Sequence, residues 1–365
     1  EELTFLMQSI FQILSNSADP KITCLILGVL RSIISSISEV IQDEQTLSNI
    51  LTTLLDLFSR PGVESADFEV FNEIYKAEPA IIKIIENQLI EVTISILADE
   101  TKDADTIKNA ARMVKQIAKL AFTMTDKGES DEETALSGIL QYGEPLIISL
   151  LRVCSTVDSP TCDYNGAWLP YMAASQALKR IVQLLPDEAL ASIFPMMQNL
   201  INSGEFNERF AGLCLLSHII KNADNSLIGI PFLSVLFEKI NDQASIVAFQ
   251  SIKCIQNLMM RFFDSIDERT EEEKGQLSPV IQNCYEVSMA ILSMADSSIS
   301  EGKAQVQATI TEEGHISPLF LKAASLLSEI TRMPQYPHTQ ASLQALLQLG
   351  LKTKEPKLFE CISKV

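Results

Sequence analysis

Apolar residues recur at three- and four-residue intervals along nearly the whole chain, and no stretch shows the two-residue alternation of a half-buried strand. The pattern predicts a helix over 1–15, ended by Asn16-Ser-Ala-Asp-Pro20, and a partner helix over 20–40. Asp19 ahead of Pro20 favours that second start, because proline suits the first helical position and gives up no hydrogen bond there. Helices follow over 45–59, stopped by Arg60-Pro61-Gly62, then over 66–77, and over 79–98 after Glu78-Pro79. The next, 104–124, carries the stripe Ala110, Ala111, Val114, Ile117 and Leu120. Further helices are predicted over 135–154, 168–185, 187–202, 206–221, 227–240 and 243–263, alternating as outer and inner members of pairs, and over 277–295 and 316–332.

A short cassette repeats within this pattern. Trp168-Leu-Pro-Tyr-Met-Ala173-Ala174 precedes Leu178, Ile181 and Val182; Phe206-Asn-Glu-Arg209-Phe-Ala211 precedes Leu215, Ile219 and Ile220; Ala248 precedes Ile252 and Ile255. The small anchors at 173, 211 and 248 lie 38 and 37 residues apart. A period near forty, with two amphipathic helices per unit, predicts an all-α fold: a HEAT-repeat α-solenoid, a right-handed superhelix of antiparallel helix pairs. The expected organisation is one continuous array of about eight repeats over 1–365, with polar or acidic loops near 125–134, 155–167 and 297–316. The step from 110 to 173 is 63 residues, one repeat with extra chain, and that from 248 to 323 is 75, either two repeats or one carrying the long loop.

Composition narrows the classes of function. Hydrophobic residues make up 47% of the chain but aromatics only 6%, as expected for a helical core of Leu, Ile and Ala. No long uncharged apolar run predicts a membrane-inserted segment. The chain opens on Glu1-Glu2-Leu3 inside a helical pattern, with no secretory signal, as an excised piece of a longer protein would. Seven scattered cysteines, without a C-x-x-C pair, predict buried reduced thiols and a reducing compartment. The net charge of −19 argues against nucleic acid, whose phosphates need a basic stripe, and fits a partner rich in Lys and Arg.

Catalytic constellations are missing from the sequence: there is no phosphate-binding glycine motif, no H-E-x-x-H and no G-x-S-x-G. The expectation is a non-enzyme without cofactor or metal, working by reversible binding. Trp168 opens an inner helix after Asp163-Tyr-Asn-Gly166, and an indole beside a carboxylate seats the stem and head of a Lys or Arg. Its alternative role is packing between repeats. Phe206 opens the next inner helix after Glu205, the same order one repeat on, so the two would read a basic peptide like rungs of a ladder. Arg209 is expected to pair with an acid of a neighbouring repeat.

These residues resemble the importin-β family of nuclear transport receptors (karyopherin-β). The family's D-W-N-P-x-K-A-A helix is matched by Trp168-Leu-Pro170-Tyr-Met-Ala173-Ala174, and its D-W-R-x-R-x-A-A by Glu205-Phe206-Asn-Glu-Arg209-Phe-Ala211-Gly212. Its G-A-L-Q-Y-x-x-P is matched by Gly138-Ile-Leu-Gln141-Tyr142-Gly-Glu-Pro145, and F-I-M-Q by Phe5-Leu6-Met7-Gln8, in the same order across residues 1–262.

The resemblance implies a receptor that binds basic localisation segments, or an importin-α-like adaptor carrying one, on its concave inner helices. It also implies docking of nucleoporin phenylalanine-glycine repeats between outer helices, release by the GTP-bound Ran GTPase in the full-length protein, and residence in cytoplasm, nucleus and nuclear pore. By position, Asp163, Trp168, Glu205 and Phe206 would contact cargo, and Glu2, Phe5 and Leu6 would line half of a phenylalanine-glycine pocket; for Phe5 and Leu6 the alternative is inter-repeat packing. No Ran site is placed. The match thins where Gln250 falls at the next tryptophan position, Ser245 at the repeat arginine and Lys322 on the inner helix at 316–332, and 155–167 holds only Asp158 and Asp163 in place of a dense Asp run. The competing assignment is a HEAT scaffold for a multiprotein complex, such as a phosphatase regulatory subunit, which has no need of an acid-aromatic start on successive inner helices.

Overall fold

The computed structural model describes residues 2–34, 44–77, 79–126, 132–161, 169–222, 231–264, 271–301, 317–331, 336 and 338–364, a few at helix ends by backbone alone. Among the described residues every regular element is a helix. By contacts the chain forms two compact units, Glu1–Thr156 with Trp168–Leu190 and Val157–Ala167 with Ala191–Val365.

The first unit contains α1 (Glu2–Asn16), α2 (Pro20–Ile33), α3 (Glu44–Leu57), α4 (Glu64–Ala77), α5 (Pro79–Ile84), α6 (Glu86–Ala98), α7 (Ala104–Asp126), α8 (Glu132–Cys154) and α9 (Pro170–Val182). They pair as α1/α2, α3/α4, α5–α6/α7 and α8/α9, and the second helices α2, α4, α7 and α9 pack side by side in that order. The second unit takes α10 (Asp187–Ile201) from Ala191 onward, then α11 (Phe206–Asn222), α12 (Pro231–Ile240), α13 (Ser245–Asp264), α14 (Glu271–Glu301), α15 (Pro318–Thr331), α16 (Thr339–Thr353) and α17 (Pro356–Lys364). Its second helices α11, α13, α15 and α17 pack in the same consecutive way.

Local chemistry explains where helices start. The Asp19 side chain accepts from the Lys21 amide at 2.9 Å, capping α2 with Pro20 in its first turn. Gly62 stands at φ +84°, a conformation open to glycine at little cost, and lets the chain reverse into α4. Packing then selects the face. Ala110, Ala111, Ala173, Ala174, Ala211, Ala248, Ala323 and Ala324 are all buried on second helices, so small side chains stand where neighbouring repeats meet.

The structure decides two matters of register. The anchors at 248 and 323 lie on α13 and α15, which pack directly, so the 75-residue step is a single repeat whose first helix α14 is long and runs through Pro279. The expected helix over 79–98 is broken at Ile85 into α5 and α6. Ile82, Ile85, Leu89 and Ile90 are all buried on both sides of the break, so the apolar stripe continues across it and periodicity cannot reveal it. Helices α16 and α17 extend the pattern beyond 316–332.

Within each unit polar clamps join neighbouring repeats. The Arg60 guanidinium donates to the carbonyls of Leu14 and Ser17, both at 2.8 Å, tying the end of α1 to the turn after α3. The Lys102 ammonium meets the buried Glu64 carboxylate at 2.7 Å. The Asn109 amide donates to the Ser65 hydroxyl at 3.0 Å, and in the other unit Asn257 donates to the Ser217 hydroxyl, also at 3.0 Å. These bonds satisfy groups that burial between repeats would otherwise leave unpaired. Asp67 is one of the groups left out: its carboxyl is fully buried with no hydrogen-bond partner among the described residues, and burial, then the nearby Glu64 charge, pushes it well above the usual carboxylate range.

Two helices approach closely, backbone included, at Gly212 of α11. A Cβ there would stand 2.9 Å from the Ile201 backbone nitrogen and 2.9 Å from the Leu200 Cβ, at the end of α10. Backbone cannot yield as a flexible side chain does, so Gly212→Ala is expected to destabilise the second unit by about 1–3 kcal/mol. Chemical denaturation checks this; an unchanged midpoint and slope would show that the helices have room to part.

Candidate binding surface of the second helices

The entry to α11 is built around Arg209. Its guanidinium grips Asp242 through two bonds, Nε to Oδ2 at 2.7 Å and a terminal nitrogen to Oδ1 at 2.9 Å, and also donates to the carbonyls of Ser203 at 3.0 Å and Gly204 at 2.7 Å. Asp242 lies in the turn before α13, so the pair joins neighbouring repeats as expected of Arg209. Burial opposes ionisation of Asp242, yet the Arg209 hydrogen bonds and charge hold its carboxyl below the ordinary range. Ser203 completes the turn, accepting from the Glu205 amide at 3.1 Å and donating to the Glu208 carboxylate at 2.5 Å.

This fixed turn presents Glu205 exposed to solvent immediately ahead of Phe206, which is half-buried at the first position of α11. A solvated carboxylate next to an aromatic ring offers a cation both a counter-charge and a π face. The two residues share one helix start, whereas Asp163 and Trp168, the other expected cargo contacts, lie outside the described residues. Phe5 and Leu6 stand on α1 in the first unit, 72% and 41% exposed, so neither is consumed by packing against a described neighbour. Glu2 begins α1, and its side chain lies outside the described residues.

At the next position the ladder is closed by the chain itself. Gln250 is not a surface rung: it is buried on α13 with its amide directed at the Leu213 carbonyl, 3.5 Å away. Over the first turn of α13, the Pro160 carbonyl accepts from the Ile246 amide at 3.1 Å and from the Ser245 hydroxyl at 3.4 Å. The stretch just after α8 therefore covers the start of α13.

The net charge conceals a second feature. Arg112, Lys115 and Lys119 lie on one face of α7, and Lys179 and Arg180 lie on the adjoining α9. The Lys115 ammonium donates across the two helices to the Gln176 amide oxygen at 2.6 Å, and burial first, then the Arg180, Arg112, Lys119 and Lys179 charges, lowers its pKa. In the second unit Lys322 of α15 is half-buried; burial and the neighbouring Lys253 and Lys221 charges bring its pKa down to about 8. The spacing 112, 115, 119 is visible in the sequence, but its significance needs the neighbouring helix. No group of three or more His, Cys, Asp or Glu suited to a metal ion occurs among the described residues, and none of their helices is long and apolar enough to cross a membrane.

With this geometry in view, comparison with known proteins defines the fold as an all-α HEAT-repeat solenoid like that of Kap121p. No family model matches the chain. It is 26% identical over 200 residues to Importin subunit beta-3 of Saccharomyces cerevisiae, a match covering 54% of this chain and 18% of that protein. Its fold matches Kap121p bound to Pho4p with a TM-score of 0.64 at 19% identity, over 96% of this chain and 32% of that one. It matches Kap121p bound to RanGTP with a TM-score of 0.62 at 18% identity, over 96% of this chain and 33% of that one. The chain is thus similar in sequence to Importin subunit beta-3 and in fold to Kap121p, and spans about a third of the length of the solved chains.

The Arg209–Asp242 pair, with side chains only 15% and 7% exposed, is expected to hold the α11 entry in place. Arg209→Ala would leave Asp242 charged and poorly solvated, at a cost of about 3 kcal/mol. Denaturant unfolding of Arg209→Ala, Asp242→Ala and the double variant measures the coupling. A double variant as costly as the sum of the two singles would show that the pair contributes no coupling energy.

Proposed function

We propose that this chain is part of a nuclear transport receptor of importin-β type, which binds a basic localisation segment, presented directly or on an importin-α-like adaptor, along its second helices. The observation that carries the reading is the fold match over 96% of the chain to Kap121p, a protein solved with Pho4p and with RanGTP, joined to the sequence similarity to Importin subunit beta-3. The exposed Glu205 beside Phe206 supports the choice of a cationic partner, as does the net charge of −19, which attracts a basic segment over long range. Trp168 and Asp163, which precede α9 as Glu205 and Phe206 begin α11, are assigned the same role one repeat earlier.

Passage through the nuclear pore would use a second surface. Phe5 and Leu6 on α1 are exposed apolar side chains suited to a phenylalanine-glycine repeat, and Glu2, which begins the same helix, is assigned to the same surface. That Kap121p has been solved bound to Nup53p, at 19% identity and a TM-score of 0.63, supports a nucleoporin partner. Release of cargo by GTP-bound Ran belongs to the full-length protein, which would move between cytoplasm and nucleus. The working step is reversible binding, with no cofactor and no bond made or broken.

A lysine- and arginine-rich localisation peptide titrated against the chain at low salt tests the cargo reading. Removal of one aromatic anchor, as Phe206→Ala or Trp168→Ala, is expected to weaken binding about tenfold or more, since a few buried anchors dominate affinity. Absence of binding by the unaltered chain, or binding by both variants as tight as that of the unaltered chain, would overturn the assignment.

A further inference from the structure

From the cluster on α7 and α9 we infer that the first unit carries a separate docking site for an acidic peptide segment of a partner protein, held by Arg112, Lys115, Lys119, Lys179 and Arg180. The inference does not rest on the proposed cargo site, since none of the five residues is among Asp163, Trp168, Glu205 and Phe206.

The charge distribution is the first observation. The chain has 47 acidic against 28 basic residues, so a surface chosen at random is negative. Helices α7 and α9 reverse that balance, with Lys108, Arg112, Lys115, Lys119, Lys179 and Arg180 against Asp105 and Asp126. Lys108 is paired with Asp105. Arg112, Lys115 and Arg180 are hydrogen-bonded to the neutral amides of Asn109, Gln176 and Gln183, and among the described residues no carboxylate pairs with them or with Lys119. Like charges held this close repel, and Lys115 bears that cost in addition to burial. An anionic partner would relieve it.

Geometry and surroundings select the class of anion. Arg112 and Lys119 are exposed and the other three half-buried, so all five can be reached by a ligand lying along the α7–α9 contact. Positions 112 to 119 span roughly 10 Å of helix, the length of about three residues of extended chain. Two or three carboxylates of an Asp/Glu-rich segment therefore match the stripe, with forked guanidiniums at 112 and 180 suited to hold them side-on. A nucleic-acid duplex fits poorly, because its phosphates continue beyond the patch over a molecule of net charge −19.

The test is fluorescence anisotropy of a labelled ten-residue Glu/Asp peptide with the 365-residue chain in about 50 mM salt, where screening leaves surface pairs measurable. Lys119→Glu/Arg180→Glu is expected to weaken binding about tenfold or more, whereas Lys357→Glu/Lys364→Glu, the same charge change on exposed α17 positions, is expected to change it less than about threefold. Circular dichroism melts report whether the reversed variant folds, and the milder Lys119→Gln/Arg180→Gln should give an intermediate loss. No binding by the unaltered chain, or an equal loss in the patch and control variants, overturns the site. Binding of a 20-base-pair duplex as tight as that of the peptide overturns the assignment of a peptide partner.

Discussion

Everything in this molecule depends on how closely consecutive second helices can approach. A single helix pair cannot bury its whole apolar face alone, so each repeat completes its core against the repeats on either side. Alanines at 110, 111, 173, 174, 211, 248, 323 and 324 set that distance, and Gly212 brings α11 close to its own partner helix. Once the second helices are in contact, their outer turns cannot be buried and become a row of presented side chains. The same packing that stabilises the fold thus creates the surface on which its function is proposed.

Polar bonds fix the angle at which each repeat meets the next. Arg60, Lys102, Asn109, Arg209 and Asn257 each reach into the preceding or following repeat, and each satisfies a backbone carbonyl, hydroxyl or carboxylate that the stacking would desolvate. Arg209 has the widest consequence. By holding the Ser203–Gly204 carbonyls and Asp242 together it sets the orientation of the turn that carries Glu205 and Phe206. Positioning of the candidate site is therefore a by-product of inter-repeat stability.

Much of this architecture was legible in the sequence because it rests on short-range periodicity. The anchors at 173, 211 and 248 fall on consecutive second helices, and Asp19 with Pro20 opens α2 as the pattern expects. Similarity to the karyopherin-β receptors was also visible in the residues, and the comparisons agree with it. What escaped depends on tertiary context. The break at Ile85 leaves the apolar stripe intact, and the single long repeat between 248 and 323 is decided by the contact of α13 with α15. Gln250 aligns with a reading position yet points into the core, and Pro160, remote in sequence, covers the turn beside it. The cations of α7 and α9 are scattered in the sequence and acquire meaning only when the two helices adjoin.

The central claim is that the basic localisation segment is read by the exposed starts of the second helices and not by the first-helix row. Amide hydrogen exchange of the chain with and without a saturating basic localisation peptide tests this most directly, because it locates the footprint without altering a residue. The account predicts slowed exchange over 203–212 and at the start of α9, with the amides of α12 and α14 unchanged. Protection confined to the first helices, or none at a peptide concentration that saturates binding, would contradict it.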